Sequence, residues 1–318
     1  MQRLLRLSVF DVDGVRDDVR ALVVDRLADR DAVLVFDETG FAKKGRRSAG
    51  VQPQYSGTLG ATANCQVGVF AAYVSGRGHA LIDRELYLPR SWTDDRDRSR
   101  AAGIPDDVEF ASKPRMMMAM LQRTIEAKVP FTWVLADEVY GRAKYLRAWL
   151  EERQISYVLA ISCDDIEVGR DGLGAVYADD LASLPASKWK RLSAGAGAHG
   201  HRLYDWARVD IRTNPSPGQG HWLLARRSIS DPTDIAYYAC HGPARTTLTA
   251  LAAVAGRRWP IEECFQQAKN EAGLDQYQVR SWRAWYAHMT LSMAALALLV
   301  ITRTASLANQ INQTKRAD

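Results

Sequence analysis

Apolar residues in the first half of the chain fall into short, unbroken runs separated by longer segments of helical periodicity. After a short apolar start, Val19, Leu22, Val23 and Leu27 recur at helical spacing, which predicts a helix within residues 1–30. Val33-Leu34-Val35-Phe36 is a compact buried strand, and residues 66–74 and 79–88 predict two more around the turn Ser75-Gly76-Arg77-Gly78. An Arg/Asp-rich stretch over 91–109 leads to a helix near 112–128. The strand 132–136, a helix over Gly141–Arg153 and a strand over Tyr157–Ile161 follow. Strand, helix, strand is an α/β order, and it implies a sheet with helices on its faces.

From 164 to 243 the texture changes. Gly and Pro become frequent, and Arg202–Arg212 alternates in the manner of a strand. Trp222–Ala225 and Ile235–Cys240 predict two further strands, divided by an Asp231-Pro232 turn. Helices return over 244–256, 260–272 and 281–307, with Pro260 suited to a first helical position and Gly273 to a stop. The expected organisation is therefore a core over 1–163, a β-rich insertion over 164–243 and a helical completion over 244–318.

Composition narrows the class only a little. The chain has 318 residues, 47% apolar and 25% charged, with a formal net charge of +5, so a nucleic-acid partner is permitted without being demanded. Cys65, Cys163, Cys240 and Cys264 are far apart and lack zinc spacing, which predicts reduced thiols in a cytoplasmic protein. Met293–Ile301, the longest apolar stretch, is too short to span a bilayer and reads as a buried helix.

Three carboxylates carry the candidate chemistry. Asp37 ends the run Val33–Phe36, and Asp137 ends Trp133-Val134-Leu135-Ala136. Each is followed by Glu, and strand ends in open α/β sheets are where ligands collect. Side chains alternate along a strand, so Asp37 is assigned to the site and Glu38 away from it. Glu262, Gln266 and Lys269 share one face of the helix 260–272, while Ile261, Cys264, Phe265 and Ala268 form a buried stripe. Two acids at strand ends with one on a distant helix form an oxygen cage suited to a pair of hard cations. Read singly, Asp37 is equally a turn or capping residue, and Glu262 equally a surface charge.

Basic and aromatic residues suit a DNA partner. Lys43, Lys44, Arg46 and Arg47 follow the first acid on a Gly-punctuated loop, where a phosphate backbone would approach. Arg202, Tyr204, Trp206 and Arg208 fall on one strand face at period 2, a pattern that suits distorted DNA or an amphipathic strand with a half-buried Trp. Trp282 and Trp285, three apart, read as core packing.

The ordered set of motifs resembles the DDE transposases of bacterial insertion sequences. Arg258-x3-Glu262-x6-Lys269 matches the tail of that family's Y-x2-R-x3-E-x6-K signature, with Ala255 where the Tyr would stand. Phe36-Asp37-Glu38-Thr39-Gly40-Phe41-x-Lys43-Lys44-Gly45 and Ala136-Asp137-Glu138-Val139-Tyr140-Gly141 are similar to its two aspartate motifs. Gln54-Tyr55-Ser56-Gly57, Asn64–Phe70 and Tyr87-Leu88-Pro89-x-Ser91-Trp92 extend the likeness. The resemblance implies an RNase H-like mixed sheet flanked by helices, with the β-rich insertion between the second Asp and the Glu. It implies Asp37, Asp137 and Glu262 as ligands of two Mg2+ ions, with Mn2+ as a substitute, and Arg258 and Lys269 on the DNA backbone near the cleaved phosphate. Lys43, Lys44, Arg46, Arg202 and Trp206 complete the expected DNA contacts. The implied activity is cleavage and strand transfer of a mobile element, acting on double-stranded transposon ends and target. The expected setting is a homodimer in the DNA complex, in bacterial cytoplasm at the nucleoid, without a membrane.

Two rivals stand beside it. Val9-Phe10-Asp11-Val12-Asp13-Gly14 resembles the nucleophile motif of haloacid-dehalogenase-type phosphohydrolases, with Asp11 attacking phosphorus and Asp13 as acid/base. Only about 30 residues precede the first Asp strand, where relatives carry a longer region that helps recognise transposon ends. The second rival is accordingly a truncated, non-catalytic DNA-binding protein.

Overall fold

A computed structural model describes residues 10–57, 60–168, 175–197, 200–211 and 216–317. The apolar start, Val9 of the phosphohydrolase-like motif, and Arg212 at the end of the expected strand lie outside the described residues. Two compact units emerge: Met1–Ala32, Phe36–Pro130 and Pro260–Asp318 form the first, and Val33–Val35 with Phe131–Trp259 form the second.

In the first unit, helix α1 (Val12–Leu27) precedes strand β1 (Val33–Ala42), which enters this unit at Phe36. Strands β2 (Gln52–Ser56), β3 (Ala61–Ser75) and β4 (Gly78–Leu86) follow, with the order β2-β3-β1 and β4 paired on β3. The β3–β4 pairing is the expected hairpin, with a bulge between Ala71 and Ala72. Cys65 to Val74 is buried without a break. A strand covered on both faces needs apolar or small residues at every position, not at alternate ones.

Two short helices, α2 (Arg90–Thr93) and α3 (Arg96–Ala101), occupy the Arg/Asp-rich stretch before α4 (Lys113–Glu126). After the second unit the chain returns as α8 (Pro260–Asn270) and α9 (Trp282–Ala317), with α5 to α7 described below. Gly273 at φ +65° stops α8, and the Leu274 N–H donates back to the Ala268 carbonyl at 2.9 Å. Helix α9 runs ten residues past its expected end and packs on α1 and β4. Over Trp282–Leu307 it is long and apolar enough to cross a membrane by length and composition, but 67% of the apolar window is buried inside the molecule. Trp285, Met289, Met293 and Leu296 supply its core face.

A buried ionic cluster ties these layers. Asp83 and Arg84 on β4 are fully buried. Arg123 of α4 donates to Asp83 at 3.0 Å and to Glu85 at 2.7 Å. Arg84 reaches Asp13 of α1 at 3.0 Å, and the Tyr286 hydroxyl of α9 donates to Glu85 at 2.7 Å. Removing one partner of such a set strands a buried charge at a cost of about 3–5 kcal/mol.

The second unit begins with the first three residues of β1. Its sheet runs β1-β5-β6-β12-β11-β10-β9, where β5 is Trp133–Ala136, β6 Tyr157–Ile161, β9 Lys190–Gly197, β10 Gly200–Asp210, β11 Gln219–Arg227 and β12 Ile235–Pro243. The pair β5–β6 is parallel and the pairs beyond it are antiparallel. Strands β7 (Ile166–Val168) and β8 (Ala175–Tyr177) make a separate two-stranded sheet.

The expected helix 141–153 is instead a single turn, α5 (Glu138–Gly141), followed by α6 (Lys144–Glu152). Asp137 starts the turn early by capping it. Gly141 packs so tightly on β6 that an added Cβ would lie 1.8 Å from the Ala160 carbonyl oxygen, so only glycine fits. Helix α7 (Leu248–Gly256) begins four residues later than expected because Thr247 is its cap, accepting from the Ala250 N–H at 3.1 Å.

Candidate active site

The strand that opens with the apolar run Val33–Phe36 does not end at the first acid. Strand β1 continues to Ala42, which places Asp37 inside the strand and not at its end. The run is fully buried, and burial relaxes at Asp37 and Glu38, both half-buried. Asp37 Oδ1 accepts the Glu38 N–H at 2.8 Å, a local bond that fixes the carboxylate's orientation. Asp137 does stand at a strand end. It caps α5, and Oδ1 accepts the Val139 N–H at 3.0 Å, where the helix terminus favours negative charge.

Asp37 and Glu38 each offer a carboxylate oxygen, and these oxygens lie within 4.8 Å of one another. Glu38 was expected to face away. Period-2 alternation governs the Cβ direction, but a Glu side chain is long enough to swing its carboxylate back toward the strand's other face. The signal available in sequence was its reach, together with a cation to hold it: Lys113 of α4 donates to Glu38 Oε1. Glu262 lies in the first turn of α8.

Helix α8 meets β1 through a different residue of the signature. Lys269 Nζ donates to the Thr39 hydroxyl at 2.8 Å. Thr39 lies two positions from Asp37, on the same strand face. Burial pulls the Lys269 pKa below the ordinary lysine value, with Asp275 acting against that shift. Because Glu262 and Lys269 are seven apart, both project from one side of α8. The expected buried stripe of that helix, Ile261, Cys264, Phe265 and Ala268, is buried throughout.

The remaining expected contacts divide sharply. Lys44, Arg46 and Arg47 are exposed on the loop after β1 and make no ion pair among the described residues, while Lys43 is half-buried against Tyr277. Trp206 must be corrected: it is fully buried, stacked on Tyr238 with centroids 6.3 Å apart, and unable to receive a base. Arg202, on the same strand, is half-buried. Its guanidinium donates to the Ala194 and Gly256 carbonyls at 2.9 and 3.0 Å, joining β9 to the end of α7. Arg208 likewise donates to the Thr246 carbonyl. Arg258, half-buried after α7, lies near enough to Tyr238 to influence its ionisation. Trp285 is core, as expected.

The phosphohydrolase rival fails on geometry. Asp11 caps α1, accepting from the Asp13 and Gly14 N–H groups at 3.1 and 2.9 Å, and Asp13 is paired with Arg16 and Arg84. Its aspartates are helix-terminus and structural groups.

Comparison with known proteins gives the family. Residues 1–166 match the family model described as DDE superfamily endonuclease, and residues 112–298 match the transposase DDE domain. A Microchaete diplosiphon protein described as a probable transposase for insertion sequence element IS701 is 30% identical over 285 residues, which cover 88% of this chain and 68% of that protein. With its mixed α/β sheet and clustered acids, the chain belongs to the DDE transposases, RNase H-like DNA endonucleases and strand transferases that use divalent metal.

Proposed function

We propose that Asp37 and Asp137, with Glu262 as the third acid, hold two Mg2+ ions, replaceable by Mn2+, and that this site nicks and rejoins double-stranded DNA at the ends of a mobile element and at its target. The observation that carries this reading is the crowding of carboxylates within 4.8 Å. At that spacing two like charges repel by about 3 kcal/mol at an effective dielectric of about 20. Lys113 donates to Glu38 and offsets part of that crowded charge. All donors are carboxylate oxygens, the chemistry preferred by Mg2+ and Mn2+ and not by thiolate-seeking metals.

When bound, such ions lower the pKa of the attacking water or 3'-hydroxyl and stabilise the leaving oxygen. The chain's own residues orient the site. The Glu38 and Val139 N–H groups hold Asp37 and Asp137 in place, and Lys113 restrains Glu38. The Lys269–Thr39 bond supports Glu262 as the third ligand, since Lys269 shares a side of α8 with Glu262 and Thr39 shares a strand face with Asp37. Lys269 and Arg258 are assigned to the DNA backbone near the cleaved phosphate, and Lys43, Lys44 and Arg46 to the backbone further along. The reading includes a β-rich insertion over 164–243 within the core, a homodimer in the DNA complex, and action at the bacterial nucleoid.

The test is nicking of a duplex carrying the element's ends in Mg2+, alongside Mn2+ binding followed by electron paramagnetic resonance. Asp37→Ala, Asp137→Ala and Glu262→Ala are each expected to reduce nicking by about three orders of magnitude, equivalent to several kcal/mol of lost charge stabilisation, with duplex binding retained. Asp11→Ala is expected to leave nicking unchanged. Wild-type nicking by Glu262→Ala would remove Glu262 from the ligand set and put Glu38 in its place.

A further inference from the structure

The loop after β1 is braced in a way that a merely solvated loop would not need. The Asn64 side chain donates to the Lys43 carbonyl at 2.6 Å and to the Gly45 carbonyl at 3.0 Å, and the Lys43 N–H donates to the Asn64 carbonyl at 2.8 Å. Arg98, lying over the Trp92 ring at 3.8 Å, donates to the Arg46 and Val51 carbonyls at 3.3 and 3.2 Å. The backbone is therefore fixed while the cationic side chains point outward.

A second wall stands opposite, built by the segment 275–280 between α8 and α9. The two walls are tied at both ends. At one end Lys43 Nζ donates to the Tyr277 carbonyl at 3.3 Å and lies 3.4 Å from the Tyr277 ring centroid. At the other the Ala49 N–H donates to the Arg280 carbonyl at 2.9 Å. Tyr277 itself is buried and donates to Gln66 at 2.8 Å. Between the walls lies a cleft of about 720 Å³. It is lined by five cations, Lys43, Lys44, Arg46, Arg47 and Arg280, against one acid, Asp275. Lys44, Arg46, Arg47 and Arg280 are exposed and make no ion pair among the described residues.

Several buried or half-buried arginines of this unit are paired with carboxylates, as Arg16, Arg84 and Arg123 are. Unpaired cations on a rigid frame repel one another, and a polyanion that displaces their counterions relieves that repulsion. We infer that this cleft is a preformed slot for the DNA backbone, in which Arg280 and Gln278 form a phosphate-gripping wall opposite Lys44, Arg46 and Arg47. This rests on the DNA substrate proposed above and adds to it a wall that no signature motif contains. Because the frame is set before binding, little ordering cost is incurred when phosphates enter.

The experiment is duplex binding by the full chain, followed by fluorescence anisotropy in chelator so that the carboxylate site plays no part, over a range of salt concentrations. Arg280→Gln is expected to weaken binding by about five- to ten-fold near 0.1 M salt and to take about 0.9 from the slope of log affinity against log salt, the signature of one lost phosphate contact. Arg280→Lys is expected to keep the slope. Arg26→Gln, on an exposed arginine of α1 outside the cleft, is expected to change neither quantity. An unchanged slope in Arg280→Gln, or an equal loss in Arg26→Gln, would overturn the slot while leaving the DNA reading intact. Failure of the wild-type chain to bind duplex would instead overturn both.

Discussion

The loop after β1 and strand β10 carry the same chemistry in sequence and opposite fates in structure. Both place cations at short spacing, and β10 adds Tyr204 and Trp206 in the manner of a stacking surface. On the loop, Lys44, Arg46 and Arg47 remain exposed and without carboxylate partners among the described residues. On β10, Trp206 is fully buried, while Arg202 and Arg208 are committed to backbone carbonyls. A period-2 pattern tells which residues share a face. It does not tell whether that face is open or covered by a neighbouring element. A guanidinium also donates to backbone carbonyls, as Arg202 and Arg208 do, so arginine beside aromatic residues is poor evidence of DNA by itself.

Three substitutions test this contrast. The largest effect is expected at Trp206→Ala, which should destabilise the fold by about 3–5 kcal/mol in denaturant unfolding, as emptying a large core site does. Duplex affinity of the still-folded protein at low temperature should stay unchanged. A stable Trp206→Ala variant with weakened DNA binding would return β10 to the DNA surface. Next comes Arg202→Gln, expected to cost about 1–3 kcal/mol through two unsatisfied carbonyls, again with the salt slope of binding unaltered.

The smallest effect concerns Lys43. Burial brings its pKa down to about 8, with Asp275 pulling the other way. Tyr277 and His288 are the other titratable groups near it. Between about 8 and the ordinary lysine value the unfolded chain holds the extra proton, so stability from this group rises with pH across that window. DNA binding moves in the opposite sense, because a neutral amine grips no phosphate. Affinity is expected to fall by a few-fold between pH 7 and 9, and Lys43→Arg should abolish that dependence. A pH-independent wild type would show that Lys43 serves only to tie the walls together.

Much of the sheet was legible because its strands are buried on both faces and read as continuous apolar runs: Val33–Phe36, Trp133–Ala136 and Tyr157–Ile161 all lie in strands. Boundaries were less legible where a cap or a close approach decided them. Thr247 shortens α7, and the Gly141 contact with Ala160 interrupts the expected helix. In the site, Asp37 and Asp137 were readable from their places beside buried runs. Glu38 was not, since alternation describes Cβ atoms and not the reach of a long side chain.

By itself, then, the order of apolar runs, caps and acidic motifs determined the alternation of strands and helices and the family to which the chain belongs, because these depend on local spacing and on signatures written in contiguous residues. Tertiary structure alone decided which charged groups face outward. Asn64, Arg98 and the 275–280 segment are remote in sequence from the loop they brace, and Tyr238 is remote from the Trp206 it covers. Exposure and pairing are properties of what packs against a residue, and no local pattern contains that neighbour.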